Sequence, residues 1–191
     1  TGALAGEDDV YDAAFKRAGV VRVKTIGDLF DCAELLAKQP RPRGSRVTVI
    51  TNAGGPGVMA ADSLSESGLE LTRLEPDTIE NLDRALPPHW SGGNPVDLLG
   101  DATPKRYAAA VEACLEDPGT DGLLVILNPQ AMTDPAEAAR SLARAVKGHP
   151  HPVVASWIGG VDVEKGRAVL NEAGIPTYHT PERAIRAFMH L

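Results

Sequence analysis

The sequence predicts an α/β fold with a doubly wound parallel sheet. From Arg46 onward, short apolar runs rich in β-branched residues alternate with longer helical stretches, which is typical of a sheet covered by helices on both faces. The number of these runs favours the flavodoxin-like strand order 2-1-3-4-5. In that order ligands bind beyond the carboxyl ends of the strands, at the switch point between strands 1 and 3.

Each predicted element follows from a local pattern. The strands are the apolar runs bounded by turn residues, at 47–51, 69–74, 96–99, 123–128, 153–157 and 175–178. The helices between them are predicted at 57–67, 78–86, 104–116, 135–147, 164–173 and 181–190. Thr103 before Pro104 and Asp134 before Pro135 are expected to cap their helices.

The chain divides near a proline-broken, basic segment at residues 39–45, which is predicted to be a linker. Residues 8–18 and 25–37 are predicted to be helical, with a short strand at 20–23 between them. The 38 residues before the linker are too few for a stable domain. We therefore expect residues 1–38 to be the C-terminal tail of a preceding domain, and residues 46–191 to form a domain of their own.

The turn after the first predicted strand has the features of a phosphate site. Asn52-Ala53-Gly54-Gly55-Pro56-Gly57 leads directly into a helical stretch. Pro56 suits the first helical position, which would make Gly55 the N-cap and leave the amides of Gly57 and Val58 unpaired. Glycines allow an anion to approach such amides, and the helix dipole favours negative charge there. Gly57→Val is accordingly expected to block phosphate with little loss of stability.

Two other interpretations of this turn stay open. Residues 55–60 match the looser dinucleotide pattern G-x-G-x-x-A, and Glu75 follows twenty residues after Gly55, which would suit an NAD-binding domain. A tight turn that only packs a helix against its strand is the purely structural interpretation. A Walker A loop is excluded because no G-K-[ST] sequence follows.

Polar residues also follow or lie within the other predicted strands. Asp97 stands between apolar neighbours, where a carboxylate is unfavourable unless it is paired or points into a site. Asn94 precedes Pro95 and can set a turn, while Asn128 ends the fourth predicted strand. We expect Asn94, Asp97 and Asn128 to shape the site around the glycine turn.

Composition excludes several classes of protein. The net charge of −7 disfavours binding to nucleic acid or an anionic membrane, and no apolar run approaches the ~18 residues of a membrane span. Two cysteines without a CxxC pattern favour a reducing, cytoplasmic location. The five histidines do not have metal-ligand spacing, so no metal site is predicted.

Three segments resemble, in order, the NDP-forming (ADP-forming) acyl-CoA synthetases of the succinyl-CoA synthetase superfamily. They are TNAGGPGVMAAD at 51–62, GNPVDLLGDA at 93–102 and ILNPQAMTDP at 126–135, and the likeness extends to ASWIGG at 155–160. The resemblance covers nearly the whole chain. It implies that residues 46–191 are the flavodoxin-like CoA-ligase domain and that residues 1–38 end the preceding flavodoxin-like domain.

The resemblance also implies an activity. Enzymes of this superfamily reversibly convert acid, CoA and ATP to acyl-CoA, ADP and phosphate through a phosphohistidine. The phosphate would be held by Asn52, Ala53, Gly54, Gly55, Gly57 and Val58. CoA, ATP or ADP, and magnesium would be cofactors of the full enzyme, with none bound tightly by this chain. The partners would be CoA-binding and ATP-grasp domains, in the same chain or another subunit. Whether the protein also forms a homo-oligomer is left open.

The sequence departs from the family at its first residue. In the family a Ser-His-Thr-Gly pattern carries the phosphorylated histidine, and here the sequence begins at Thr1, so that histidine is expected directly before it. The isolated chain is therefore expected to be inactive, with no catalytic residue of its own. The alternative is a degenerate module used for regulation or sensing, for example one fused to an acetyltransferase.

Overall fold

A computed structural model describes residues 8–191, so the motif at residues 1–6 lies outside the described part. Six parallel strands form one sheet: β1 (Arg46–Thr51), β2 (Glu70–Leu71), β3 (Val96–Asp97), β4 (Gly122–Leu127), β5 (Val153–Trp157) and β6 (Thr177–Tyr178). Eight helices are described: α1 (Asp8–Ala18), α2 (Ile26–Lys38), α3 (Gly54–Ser67), α4 (Pro76–Ala85), α5 (Pro104–Leu115), α6 (Pro135–Ala145), α7 (Gly160–Glu172) and α8 (Pro181–Phe188). Within residues 8–191, no helix has the length and apolar character needed to cross a bilayer.

The strand order is β2-β1-β4-β5-β6, with β3 also paired to β1. β4 occupies one edge of β1 along residues 47–51, so β2 and β3 share the other edge. β2 pairs with Arg46 and Val47 at the start of β1, and β3 pairs with Ile50 and Thr51 at its end. If β2 and β3 are counted as one position, this is the order 2-1-3-4-5, and the predicted flavodoxin-like fold is confirmed.

Helices cover both faces of the sheet because the strand residues are apolar on both sides. On one face, α4, α5, α6 and α7 bury a core that contains Tyr107 and Trp157. On the other face, α2, α3 and α8 bury a smaller core around Leu64 and Phe188. The sheet is thus the middle layer of three.

Most predicted elements are present, but some bounds differ. β5 has the predicted range, and Thr103 and Asp134 cap α5 and α6 through their side-chain oxygens. The predicted strand at 20–23 is wrong, since these residues are in no strand.

The segment before the linker is attached to the sheet through α2. Arg183 of α8 donates two hydrogen bonds, of 2.8 and 2.9 Å, to the carboxylate of Asp31. The Tyr178 hydroxyl donates to the Asp31 carbonyl at 3.3 Å, and Gln39 bonds to the backbone of Val153 and Gly174. By contrast, α1 has no buried residue.

Candidate functional site

The carboxyl ends of β1 and β4 form the switch point of this sheet. After β1 the chain turns to α3 on one face, and after β4 it turns to α6 on the other. Two asparagines close the gap between the strand ends: Asn52 Oδ1 accepts the Asn128 N–H at 2.8 Å, and Asn52 Nδ2 donates to the Asn128 carbonyl at 2.8 Å. Since Asn52 is only 1% exposed, these two hydrogen bonds are buried and hold the ends of β1 and β4 together.

The helix after the glycine turn begins earlier than the sequence predicts. Its N-cap is Ala53, in extended conformation and without a side-chain hydrogen bond, and Gly54 is the first helical residue. Pro56 is therefore the third helical residue, and the N–H of Gly57 donates to the Ala53 carbonyl at 3.3 Å. The expectation that Gly55 is the N-cap and that the amides of Gly57 and Val58 are unpaired is wrong.

The free donors at this helix start are instead the amides of Gly54 and Gly55. Neither has a hydrogen-bond partner among the described residues, and Pro56 has no N–H to offer. The first turn of α3 carries no acidic or basic side chain, so its backbone alone sets the local field. Two adjacent free amides at the positive end of a 14-residue helix can bind an anion.

Thr51 fixes the position of this turn, a role that the sequence analysis missed. Its hydroxyl accepts the N–H of Ala53 at 3.0 Å and donates to the Ala53 carbonyl at 2.9 Å. Gly57 lies directly against the same side chain, because a Cβ at residue 57 would be 2.9 Å from Thr51 Cγ2. Gly57 thus lets α3 pack closely on β1 and does not itself present a donor to a ligand.

Asp97 lies beside the first residue of α3. Its Oδ1 accepts the N–H of Leu99 at 2.9 Å, and its own N–H donates to Ser91 Oγ at 2.9 Å. A Cβ placed on Gly54 would lie 3.4 Å from Asp97 Oδ2. Within the described residues Oδ2 accepts no hydrogen bond, so one carboxylate oxygen faces the helix start without a donor.

Asn94 fills the space between β1 and β2. Its Oδ1 accepts the Val49 N–H at 2.9 Å, and its Nδ2 donates to the carbonyls of Val47 and Thr72 at 3.0 Å each. The side chain thus takes the place of strand pairing where the two short edge strands leave β1 uncovered. It anchors the loop that carries Asp97, and it has no polar atom left to offer a ligand.

The charges around Asp97 come from the loop after β3 and from α5. Arg106 donates to the Leu98 carbonyl at 2.7 Å and to Asp101 Oδ1 at 2.6 Å, and its guanidinium lowers the pKa of the Asp101 carboxyl. Burial raises the pKa of the Tyr107 hydroxyl well above its usual value, and the nearby charge of Asp97 adds to this. The Tyr107 hydroxyl therefore stays neutral and donates to the Ile126 carbonyl.

The site brings together the Gly54 and Gly55 amides, Asp97 and the pair of asparagines. Glu75 lies elsewhere: its N–H donates to Asp117, in the loop that precedes β4 and hence at the opposite end of that strand. Among residues 8–191 there is no group of three or more histidine, cysteine or acidic side chains that could hold a metal ion.

Comparison with known proteins identifies the family. The Ligase-CoA domain matches residues 47–188, and the succinyl-CoA ligase like flavodoxin domain matches residues 1–36. The chain belongs to the Ligase-CoA domain family. This Ligase-CoA domain is similar in sequence to the alpha subunit of ADP-forming acetate–CoA ligase I from Pyrococcus furiosus, with 43% identity over all of this chain and 42% of that protein. The ADP-forming acetate–CoA ligase of Methanocaldococcus jannaschii is 45% identical over all of this chain and 28% of its own length.

Comparison with solved structures supports the same family. Acetyl-coenzyme A synthetase 1 of Ca. Korarchaeum cryptofilum, described as dinucleotide forming, superimposes with a TM-score of 0.92 and 34% identity in its apo form, over 98% of this chain and 41% of that one. A second structure of that synthetase, in complex with phosphate and ADP, gives the same TM-score of 0.92. The Ligase-CoA chain therefore spans about two fifths of its structural relatives, and the resemblance to ADP-forming acyl-CoA synthetases is confirmed.

Proposed function

We propose that this chain is the CoA-ligase part of an NDP-forming acyl-CoA synthetase, and that the start of α3 holds the phosphoryl group during transfer. The observation that carries this proposal is the pair of free amides, Gly54 and Gly55, at the switch point of a Ligase-CoA domain. Such donors act electrostatically, because they are fixed where the negative charge of the phosphoryl group lies.

The other predicted site residues have supporting roles in this proposal. Asn52 and Asn128 brace the strand ends, and Asn94 anchors the loop of Asp97. Of the other residues expected from the sequence to contact phosphate, Ala53 is the N-cap of α3 and Gly57 packs against Thr51, whereas Val58 is an exposed residue of α3. CoA, the nucleotide and magnesium would be bound by other parts of the full enzyme.

The remaining machinery would lie in other domains. The phosphorylated histidine would directly precede Thr1, residues 1–38 would complete a flavodoxin-like domain, and an ATP-grasp domain would bind the nucleotide. Support comes from the two ADP-forming ligases compared above, which are both more than twice as long as this chain, and the one from Pyrococcus furiosus is an alpha subunit. On this proposal the isolated chain is inactive. A cytoplasmic location and a homo-oligomer stay predictions.

Substitution of Gly54 tests whether the free amides of Gly54 and Gly55, here called the cradle, hold the phosphoryl group. Gly54→Pro removes one free N–H at the first helical position, where proline is favoured, and the extended Ala53 before it suits proline. Gly54→Ala retains the N–H and places a Cβ at van der Waals distance from Asp97. In the full enzyme, we expect Gly54→Pro to slow discharge of phosphoenzyme to acetate and CoA about 10²-fold or more, and Gly54→Ala to have little effect.

Phosphoenzyme is formed first with radiolabelled ATP and magnesium, and its loss is then followed by rapid quench. Equal discharge rates for Gly54→Pro and Gly54→Ala would contradict the cradle assignment. No acid-labile label in a folded full-length protein that binds ATP would reject the synthetase itself and favour a degenerate sensing module.

The NAD-binding alternative is disfavoured by the position of Glu75. A dinucleotide site needs that carboxylate near the glycine turn, to bind the ribose. Its backbone lies instead beside Asp117, at the far end of the sheet.

A further inference from the structure

We infer that the ion pair between Asp31 of α2 and Arg183 of α8, here called the α2–α8 pair, sets where the preceding domain lies relative to α3. Asp31 and Arg183 are then positioning residues for phosphoryl transfer, since they act through the placement of other groups. The inference rests on the proposed function and extends it from the phosphate-binding amides to the contact between domains that places them.

α8 contacts both the helix that begins at the candidate phosphate site and the segment that precedes the linker. It packs against α3 and against α2 on the same face of the sheet. Leu35 of α2, Leu64 of α3 and Ile185 of α8 belong to one buried hydrophobic cluster. Since residues 1–36 match a different domain family from residues 47–188, the contact of α2 with α8 is a contact between two domains.

The polar contacts between α2 and α8 are directional. Arg183 donates from Nε at 2.9 Å and from Nη2 at 2.8 Å to the two carboxylate oxygens of Asp31, whose side chain is only 14% exposed. A bidentate arginine–carboxylate pair fixes an angle as well as a distance, because the two planar groups must stay aligned. The Tyr178 hydroxyl donates to the Asp31 carbonyl at 3.3 Å and so holds the backbone of α2 at the same residue.

Apolar packing alone does not fix the position of α2. Its buried side chains are Cys32 and Leu35, and beside them a cleft of about 230 Å³ lies between α2, residues 22–24 and the C-terminal end of α8. Gln39, which ends α2, is hydrogen-bonded to the backbone of β5. Because close packing does not oppose movement into the cleft, α2 could pivot about Gln39. The ion pair at Asp31 supplies the second fixed point.

The position of Arg183 within α8 is not explained by the stability of α8 itself. Thr180 is the N-cap, and Arg183 is the third helical residue. A cation is unfavourable in the first turn of a helix, because the helix dipole is positive at that end. Only the backbone N–H of Arg183 takes part in capping, through the Thr180 hydroxyl at 3.4 Å. Its guanidinium therefore serves the contact with Asp31.

On the proposed function, this contact affects the reaction through distance. The transferring histidine would directly precede Thr1, in the domain to which α2 belongs, and the phosphoryl group would be held by Gly54 and Gly55. A shift of α2 on α8 would change the distance between that domain and these amides. A misplacement of about 1 Å can slow a reaction step by about 10²-fold. Phosphorylation of the histidine by ATP would take place at another domain and would not depend on this contact.

The test is Arg183→Gln in the full enzyme, which removes the charge and the bidentate geometry. Arg140→Gln is the matched control, because Arg140 is paired with Glu137 at the surface of a single helix, α6. The double variant Asp31→Arg with Arg183→Asp reverses the pair, and it places a carboxylate in the first turn of α8, where the helix dipole favours one.

Hydrogen exchange of the full enzyme gives a readout that does not depend on activity. We expect the amides of α2 to exchange roughly 10-fold faster in Arg183→Gln than in Arg140→Gln, and those of β1 and β4 to be unchanged. Equal exchange of α2 in the two variants would overturn the inference, because the pair would then not hold α2 on α8.

The reaction is measured with phosphoenzyme made from radiolabelled ATP and magnesium, whose discharge at saturating acetate and CoA is followed by rapid quench. We expect Arg183→Gln to form phosphoenzyme at the rate of the parent but to discharge it roughly 10-fold more slowly, and the reversed pair to recover most of the lost rate. A purely structural role would instead reduce the amount of active enzyme and leave both rate constants unchanged.

Discharge by Arg183→Gln at the rate of Arg140→Gln, or no recovery with the reversed pair, would overturn the inference and leave the cradle intact. Absence of phosphoenzyme in the parent would overturn both the inference and the proposed function.

Discussion

At the scale of single residues, the glycines of the turn have two different structural roles that the sequence alone does not distinguish. Gly54 and Gly55 present free amides, whereas Gly57 has a paired amide and a packing role. The difference arises because α3 begins at Gly54, two residues before the proline that marks a helix start in the sequence. A short run of glycines contains no side-chain cap by which the true first residue could be recognised.

Gly57 should be sensitive to a single added methyl group. A Cβ there lies 2.9 Å from Thr51 Cγ2, and Thr51 cannot turn away without losing its two bonds to Ala53. We expect Gly57→Ala to lower the free energy of unfolding by about 1–3 kcal/mol, as overpacking does. Gly57→Val should be worse, which reverses the expectation from sequence that it would leave stability almost unchanged.

Gly55→Ala is the control for this prediction. A Cβ at Gly55 meets no atom within 4 Å, and the position is helical, so the substitution should stabilise by roughly 0.5–1 kcal/mol. Urea unfolding of both variants measures the contrast. If Gly57→Ala and Gly55→Ala change the free energy of unfolding equally, the close contact of α3 with β1 does not restrict the residue at position 57.

At the scale of elements, the two central strands are joined at their amino ends by an ion pair. Asp121, just before β4, accepts the backbone N–H of Arg46 at 3.1 Å and its Nε–H at 2.8 Å. The carboxylate side chain is only 6% exposed, and the hydrogen bonds from Arg46 hold the pKa of Asp121 below its usual value.

The Arg46–Asp121 ion pair predicts that the free energy of unfolding depends on pH. Because the folded pKa of Asp121 lies below its unfolded value, the stabilisation is present above about pH 4 and is lost as the pH falls through the folded pKa. We expect Asp121→Asn to be less stable at neutral pH by about 1–3 kcal/mol. The difference in free energy of unfolding between Asp121→Asn and the parent, measured by urea unfolding, should narrow as the pH falls. A constant difference at all pH values would contradict this role.

Elements with strong local signals could be predicted from the sequence, and those set by distant neighbours could not. β5 is a run of apolar residues between turns, and Asp134 before Pro135 is a cap visible in the sequence alone. The role of Asn94 depends on two strands that each leave part of β1 unpaired, so no local pattern indicates it. Likewise, the closeness of Asp97 to Gly54 depends on the register between β3 and β1.

At the scale of the whole molecule, apolar surface is concentrated before the linker. Fourteen large apolar side chains are exposed in the described chain, and eight of them precede residue 39: Val10, Tyr11, Val20, Val21, Ile26, Leu29, Phe30 and Leu36. Exposed apolar groups at this density mark a surface that binds another part of a protein. The match of residues 1–36 to a flavodoxin domain suggests the rest of that domain as the occupant.

Hydrogen exchange tests this arrangement of domains. In the isolated chain, α1 should exchange rapidly, since it has no buried residue and its contacts with Arg22 are exposed ion pairs of little worth. α2 should be better protected, because Cys32 and Leu35 are buried and Asp31 is bound to α8. In the full-length protein α1 should become protected as well, whereas α6 and α7, already packed on each other, should change little. Equal exchange of α1 in both proteins would show that the upstream domain does not cover this surface, and residues 8–38 would then belong with the Ligase-CoA domain alone.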